Sequence, residues 1–340
     1  MPHEAHRITL ARRPKGEPTP DDFGRETVDL PEPSEGEVLV RTIWLSLDPY
    51  MRGRMDDAKS YADPVPLGGV MEGEGVAEVI ESRHEGFAKG DIVAARTGWA
   101  SAAVVKGEGL RKVDPSIAPI QTALGVLGMP GLTAFVGVDT VGKAQKGETI
   151  VVSAATGAVG TVAGQLAKAR GLRAVGVAGG AEKCAYAVDE LGYDACIDHH
   201  AEDFAEQLAA AVPDGIDVYI EHVGGKTLSA VIPLMNQNGR IPVIGMIAWY
   251  NGQNLDQALP LPKVWRTVLT KRLTIQGMLV FDHADRRPDF EKEVGALIRD
   301  GRLTYRETVA DGLDNAPEAF IEMLKGGNFG KQLVRVGPDP

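Results

Sequence analysis

The sequence predicts an α/β protein in two parts: a doubly wound parallel-sheet domain and a β-rich domain. Three observations lead there. The apolar, β-branched run Ile150-Val151-Val152 passes through Ser153-Ala154-Ala155-Thr156-Gly157-Ala158-Val159-Gly160 into a helical pattern of Val159, Val162, Ala163, Leu166 and Ala167. From 123 to 303, strand-like and helix-like stretches alternate, as a parallel sheet with crossover helices requires. Residues 1–122 instead carry strand-type runs separated by Pro, Gly and Asp turns.

In chain order, 38–45 and 75–80 read as strands, and 86–94 as a turn that delivers another. After the glycine turn, strands are expected at 174–178, 195–197, 216–221, 240–246 and 273–280, with helices between them. The end returns to turns, a helix at Ala316–Leu324 and a strand at 332–336. It is expected to fold back onto the β-rich part, so the domains are read as 1–122 with 304–340, and 123–303.

Composition narrows the function classes. The 340 residues are 44% hydrophobic and 24% charged, the balance of an ordinary globular chain. A net charge of −11 argues against a nucleic-acid partner. No apolar run approaches the roughly 18 residues of a membrane span, and the N-terminus lacks the apolar core of a secretory signal, so a cytoplasmic setting is expected. The two cysteines, Cys184 and Cys196, form no C-x-x-C pair and read as small core residues. The seven histidines show no metal spacing; His199 and His200 are adjacent and would point apart on a strand.

The string Ala155-x-Gly157-Ala158-Val159-Gly160 is the pattern of a dinucleotide turn. Gly157 lets backbone approach a pyrophosphate, Gly160 lets the helix pack close to the strand, and N–H groups at the helix start face the anion. Such turns also serve only to pack a helix on a sheet. The strand at 174–178 ends in Gly179-Gly180 with no acid to hold a ribose 2′-hydroxyl or repel a 2′-phosphate. Lys183 follows in the next helical turn, where a surface lysine and a phosphate partner look alike. With the acid missing, NADPH is favoured over NADH. Further on, 216–225 is a strand running into a glycine turn, and Gly245-Met246 leads into the loop 247–251; both strand ends should border the cofactor.

With these residues in hand, the chain resembles zinc-independent medium-chain reductases, in the branch of prostaglandin reductases, alkenal double-bond reductases and bacterial curcumin reductases. The likeness rests on Trp44-Leu45-Ser46-Leu47-Asp48-Pro49-Tyr50-Met51-Arg52, on Gly128-Met129-Pro130-Gly131-Leu132-Thr133-Ala134, on the glycine fingerprint, on His222-Val223-Gly224-Gly225 and on Gly327-Asn328-Phe329-Gly330-Lys331. It implies a Rossmann-type domain plus a GroES-like catalytic domain, and NADPH-dependent reduction of the C=C bond of α,β-unsaturated ketones and aldehydes. Where zinc-dependent relatives carry a Gly-His-Glu metal motif, this chain has Gly69-Val70-Met71-Glu72-Gly73, which offers no His or Cys ligand.

Carried over by position, the resemblance makes Tyr250 the active-site tyrosine and Tyr50 a tyrosine of the substrate cleft. It gives Lys183 to the 2′-phosphate and Asn328 to the nicotinamide, with Thr133, Met278, Val280 and Phe281 along the cofactor. It also implies a homodimer joined through the nucleotide domains, with 273–279 as the edge strand. Three positions depart from the pattern: Gly180 replaces a frequent Ser, His199 a frequent Tyr beside the adenosine ribose, and His222 a frequent Asn. A phenol of reference pKa near 10 can donate a hydrogen bond to a developing enolate oxygen. Near the 2′-phosphate, His199 would be expected to strengthen NADPH binding as pH falls through about 6.5. Trp249, Met71, Tyr61, Trp265 and Phe281 are candidates for an apolar substrate pocket. A quinone reductase and a non-catalytic, crystallin-like NADPH-binding protein are the competing readings.

Overall fold

The apolar runs assemble into separate sheets in the computed structural model, which describes residues 3–339. The chain divides into two units, one taking residues up to 125 and from 307 onward, the other 126–306.

In the first unit, β1 (His3–Leu10) and β2 (Phe23–Leu30) form an antiparallel pair, with Leu10 opposite Phe23. The long strand β3 (Glu37–Ser46) is apolar along most of its length because alternate residues feed different cores, Val38 and Val40 one and Leu39 another. The short helix α1 (Met51–Arg54) follows it. β3 pairs antiparallel with β4 (Gly75–Ser82) and β6 (Ala102–Lys106); β5 (Ile92–Ala95) joins β4, and β7 (Arg111–Lys112) joins β5.

The second unit runs α2 (Met129–Val136), β8 (Thr149–Val152), α3 (Ala158–Ala169), β9 (Arg173–Ala178), α4 (Ala181–Asp189), β10 (Ala195–Asp198), α5 (Phe204–Ala211), β11 (Ile216–Ile220), α6 (Gly225–Val231), β12 (Met235–Val243), α7 (Leu261–Lys271), β13 (Thr274–Gly277) and α8 (Arg287–Arg299). Its six strands are parallel in the order β10-β9-β8-β11-β12-β13. This is the doubly wound Rossmann arrangement, and the winding direction reverses between β8 and β11. The central strands read as unbroken apolar runs because both faces are covered. Ile150, Val152, Val218 and Ile220 pack with residues of α2, α3 and α8, while Val151 and Tyr219 pack with Phe204, Leu208 and Val231 on the other side.

The chain then returns to the first unit as β14 (Glu307–Asp311), α9 (Ala316–Leu324) and β15 (Lys331–Arg335), with β15 antiparallel to β3. Phe320 of α9 meets Trp99 edge-on at 5.5 Å, and Trp99 stacks on Phe23 at 5.6 Å, closing the core of that unit.

Three local expectations are corrected. β12 begins five residues before the expected 240, at Met235, behind the polar stretch Asn236-Gln237-Asn238, and stops at Val243. It stops there because Ile244 and Gly245 both turn their N–H groups to Glu221 O. β13 covers only Thr274–Gly277, and Val280–Arg286 is a 3-10 turn. His199 and His200 do not point apart on a strand. β10 ends at Asp198, the chain turns, and the two rings lie side by side, tilted by 40° with centroids 4.1 Å apart.

Candidate active site

The glycine turn is the tightest piece of backbone in the second unit. Ala154 adopts φ 47°, a conformation L-residues rarely take, and so swings the chain from β8 toward α3. A Cβ on Gly160 would stand 2.3 Å from Ala154 O and 2.7 Å from Ala155 O, so only glycine lets α3 settle onto the strand. The Tyr193 hydroxyl donates to Gly160 O at 2.7 Å and holds it there. At Gly157 the same test meets only the turn's own Ala154, O at 3.1 Å and Cβ at 3.8 Å. No side chain caps α3. The N–H groups of Ala158, Val159 and Gly160 are thus at the disposal of an anion, and the cradle fits a pyrophosphate. Ala155 is fully buried and supports the turn from beneath.

At the end of β9 the chain turns through Gly180 at φ 94°, with open space where a side chain would project. A serine at this φ would be strained. The Gly180 N–H donates to Asp198 Oδ1 at 2.9 Å, as does the His200 N–H. The acid missing from β9 is therefore supplied by β10 and consumed by backbone, a feature the sequence pattern does not reveal. Lys183 is half-buried in the first turn of α4, and burial lowers its ammonium pKa. Burial, then His200 and Lys226, push the His199 pKa down to about 4. The ring is thus neutral at pH 6.5 in the free protein.

Around β11 and β12 the backbone is held by side chains that sequence reading passed over. Ser153 Oγ donates to Ile220 O at 3.0 Å and accepts the His222 N–H at 2.9 Å. His222 Nδ1 lies 2.8 Å from Ser153 O; a carbonyl only accepts, so the Nδ1–H tautomer is fixed. Burial lowers its pKa to about 4, so the ring is neutral. The buried Glu221 accepts from the N–H groups of Val223 and Gly224 at 2.6 and 2.8 Å. Burial pushes its pKa up to about 7 against those two bonds. Gly224, at φ 79°, leaves room for the Trp249 ring, which would lie 2.8 Å from a Cβ there.

The loop after β12 docks through Ile247 N to His222 O and Ala248 N to Val223 O. Tyr250 folds back so that its hydroxyl oxygen accepts the Met246 N–H at 3.2 Å and lies 3.1 Å from where a Gly245 Cβ would be. Accepting that bond polarises the phenol toward donating its proton.

The remaining predicted residues separate by burial. Thr133 is buried, with its hydroxyl donated to Met129 O at 2.7 Å, and Met278 sits in the core. Val280 is half-buried, while Phe281 and Met246 are exposed. Trp265 stands exposed on α7.

In the first unit, Tyr50 is raised well above the ordinary phenol pKa by burial and by Asp48, Glu72 and Glu74. Its loop is anchored by a buried ion pair: Lys331 Nζ reaches Asp48 Oδ1 at 2.9 Å and Leu47 O at 2.6 Å, and Ser46 donates to the other carboxylate oxygen. Asn328 donates to Gly330 O at 2.7 Å. The Arg54 guanidinium lies 4.3 Å from the centroid of the Tyr61 ring, and Met71 is enclosed in the core. Among the described residues, no group of three or more His, Cys, Asp or Glu side chains could hold a metal ion.

Comparison with known proteins matches residues 6–113 to the family described as N-terminal domain of oxidoreductase and 158–299 to that described as zinc-binding dehydrogenase. The chain is 49% identical over 335 residues to the NADPH-dependent curcumin reductase of Escherichia coli (strain K12), covering 98% of this chain and 97% of that one. It is 41% identical over 310 residues to the NADP(+)-dependent 2-alkenal reductase of Nicotiana tabacum, covering 90% and 89%. The crystal structure of CurA from Vibrio vulnificus in complex with NADPH superposes with a TM-score of 0.94 at 45% identity, over 98% of this chain and all of that one. The chain belongs to the medium-chain dehydrogenase/reductase family, in the branch of curcumin, prostaglandin and 2-alkenal reductases.

Proposed function

We propose that this protein is an NADPH-dependent reductase of the C=C bond of α,β-unsaturated ketones and aldehydes that works without a metal ion. The observation that carries the reading is a single sheet edge. The carboxyl ends of β8, β9, β11 and β12 bear, in turn, the open glycine turn, the lysine-bearing helix, the His222 turn and the Tyr250 loop. That is where a doubly wound sheet binds its ligand.

Gly157 and the N–H groups of Ala158, Val159 and Gly160 would hold the pyrophosphate, with Ala155 beneath them. Gly180, Lys183 and His199 would receive the adenosine ribose and its phosphate. His222, Gly245, Met246, Val280 and Phe281 would border the nicotinamide, with Thr133 and Met278 packed behind; Asn328 keeps the nicotinamide role that the resemblance implies. When bound, NADPH supplies the hydride that goes to the β-carbon. Tyr250 donates a hydrogen bond to the carbonyl oxygen as negative charge develops there, a contribution of roughly 2.7–4 kcal/mol in a dry site. Tyr50 stays protonated and shapes the apolar substrate's seat.

A homodimer completes the reading. All four residues of β13 are exposed at the end of the sheet, and α7 presents Leu261, Trp265 and Leu269 at four-residue spacing, each more than half exposed. A cytoplasmic setting suits a chain whose two cysteines are both free thiols.

The test follows NADPH absorbance with purified protein against a panel of diarylenones, alkenals, oxo-fatty acids and quinones, with and without a chelator. Oxidation driven by enones or alkenals and indifferent to the chelator is expected. Turnover of quinones alone, no turnover at all, or loss of turnover on chelation would overturn the proposal.

A further inference from the structure

Cys184 and Cys196, far enough apart in sequence to form no C-x-x-C pair, are neighbours in the fold. Cys184 is the residue after Lys183 in the first turns of α4; Cys196 lies in β10, opposite Gly176 of β9 and two residues before Asp198. Cys196 Sγ sits 3.2 Å from where a Cβ on Gly176 would project, so the bare glycine makes room for it. The two thiols are free, half-buried and hydrogen-bonded to each other. They join the two elements that build the adenosine end of the site. Lys183 precedes one thiol, and the other shares its strand with the carboxylate that holds the Gly180 N–H.

We propose that Cys184 and Cys196 form a reversible intramolecular disulfide, with hydrogen peroxide as oxidant, that weakens binding of the 2′-phosphorylated cofactor. This inference rests on the NADPH reading above. The Cys184 sulfur attacks one peroxide oxygen, giving a sulfenic acid and releasing water once the leaving oxygen takes a proton. The Cys196 thiol then attacks that sulfur, the S–S bond forms, and a second water leaves. Two thiols are oxidised and one peroxide is reduced. The roles are already divided: the bond from Cys196 holds the Cys184 thiol below its ordinary pKa, and the same bond with burial holds Cys196 above it. A covalent S–S bond is shorter than a thiol–thiol hydrogen bond. Closing it draws the first turn of α4 toward β10 and takes Lys183 with it.

The coupling is reciprocal. If the disulfide form binds NADPH about tenfold more weakly, then saturating NADPH raises the midpoint potential of the thiol pair by about 30 mV.

The experiment uses the full chain, reduced and then treated with hydrogen peroxide. Free thiols are counted by alkylation and mass, and NADPH and NADH affinities are measured by fluorescence before oxidation, after it, and after dithiothreitol. Expected are loss of both thiols within one chain, a roughly tenfold weaker NADPH affinity, an unchanged NADH affinity and full reversal. In the variants Cys184→Ser and Cys196→Ser, peroxide leaves NADPH affinity unaltered. Persistent thiols, a disulfide between chains, or an intramolecular disulfide with unchanged NADPH affinity would each overturn the inference. If the reduced protein fails to bind NADPH, the cofactor reading itself falls and the regulation with it, and the thiol count tells that outcome apart from a failure to oxidise.

Discussion

At the scale of single residues, Tyr250 and Glu221 make contrasting claims. Tyr250→Phe removes one donor from the developing oxyanion. The kcat on an enone is expected to fall by about 10²–10³, with the NADPH dissociation constant unmoved. Turnover at the parent rate would take the tyrosine out of the chemistry. Glu221 concerns stability. Its folded-state pKa lies near 7, above the ordinary 4.5, so the folded protein binds more protons than the unfolded chain between those values. The contribution of this group is therefore fully present below about pH 4.5 and is lost as pH rises through 7, an effect on the order of 3 kcal/mol. His222 and His199, both lowered to about 4, run the other way and add stability as pH rises toward 6.5. The clean measurement is thus a difference: Glu221→Gln should gain on the parent in denaturant unfolding between pH 5 and pH 8. A constant difference across that range contradicts the assignment.

At the scale of elements, the junction of β8 and α3 tolerates no side chain at Gly160. Gly160→Ala drives a methyl group into two carbonyl oxygens and is expected to cost about 3 kcal/mol and abolish NADPH binding. An alanine variant with the parent's melting temperature and affinity would show that the turn can relax. This junction was legible in the sequence because it is local: a β-branched run, a glycine spacing and a helical period occupy consecutive residues. Elements shaped by distant partners were not. β12 ends where Ile244 and Gly245 find Glu221 O just beyond β11, and the pairing of His199 with His200 follows from a turn that Asp198 stabilises. Likewise Ser153, Glu221 and Ala154 shape the site through backbone bonds and an unusual φ, and no residue pattern announces either. Positions transferred by resemblance differ in their surroundings: Gly157 and Gly160 sit in the tight turn between β8 and α3. Thr133 and Met278, carried over from position alone, lie buried with their polar or apolar groups already engaged.

At the scale of the whole molecule, the proposed dimer and the returning segment of the first unit can each be tested. The exposed stripe on α7 predicts that Trp265→Glu combined with Leu269→Glu converts a dimer to a monomer in light scattering. A parent protein that is already monomeric would refute the dimer. In the first unit, Phe320→Ala removes the ring that packs against Trp99 and should destabilise that unit by about 3–5 kcal/mol. Denaturant unfolding monitored by tryptophan fluorescence reads this directly.

The split of the first unit between two stretches of sequence has a consequence for biosynthesis. The parallel-sheet unit is one continuous segment and can fold as soon as it clears the ribosome. The β-rich unit begins earlier in the sequence but lacks β15 beside β3 and Phe320 over Trp99 until residues 316–335 emerge. Its strand edge and aromatic core stay open through the synthesis of everything between, so the earlier-made half of this polypeptide is the one completed later.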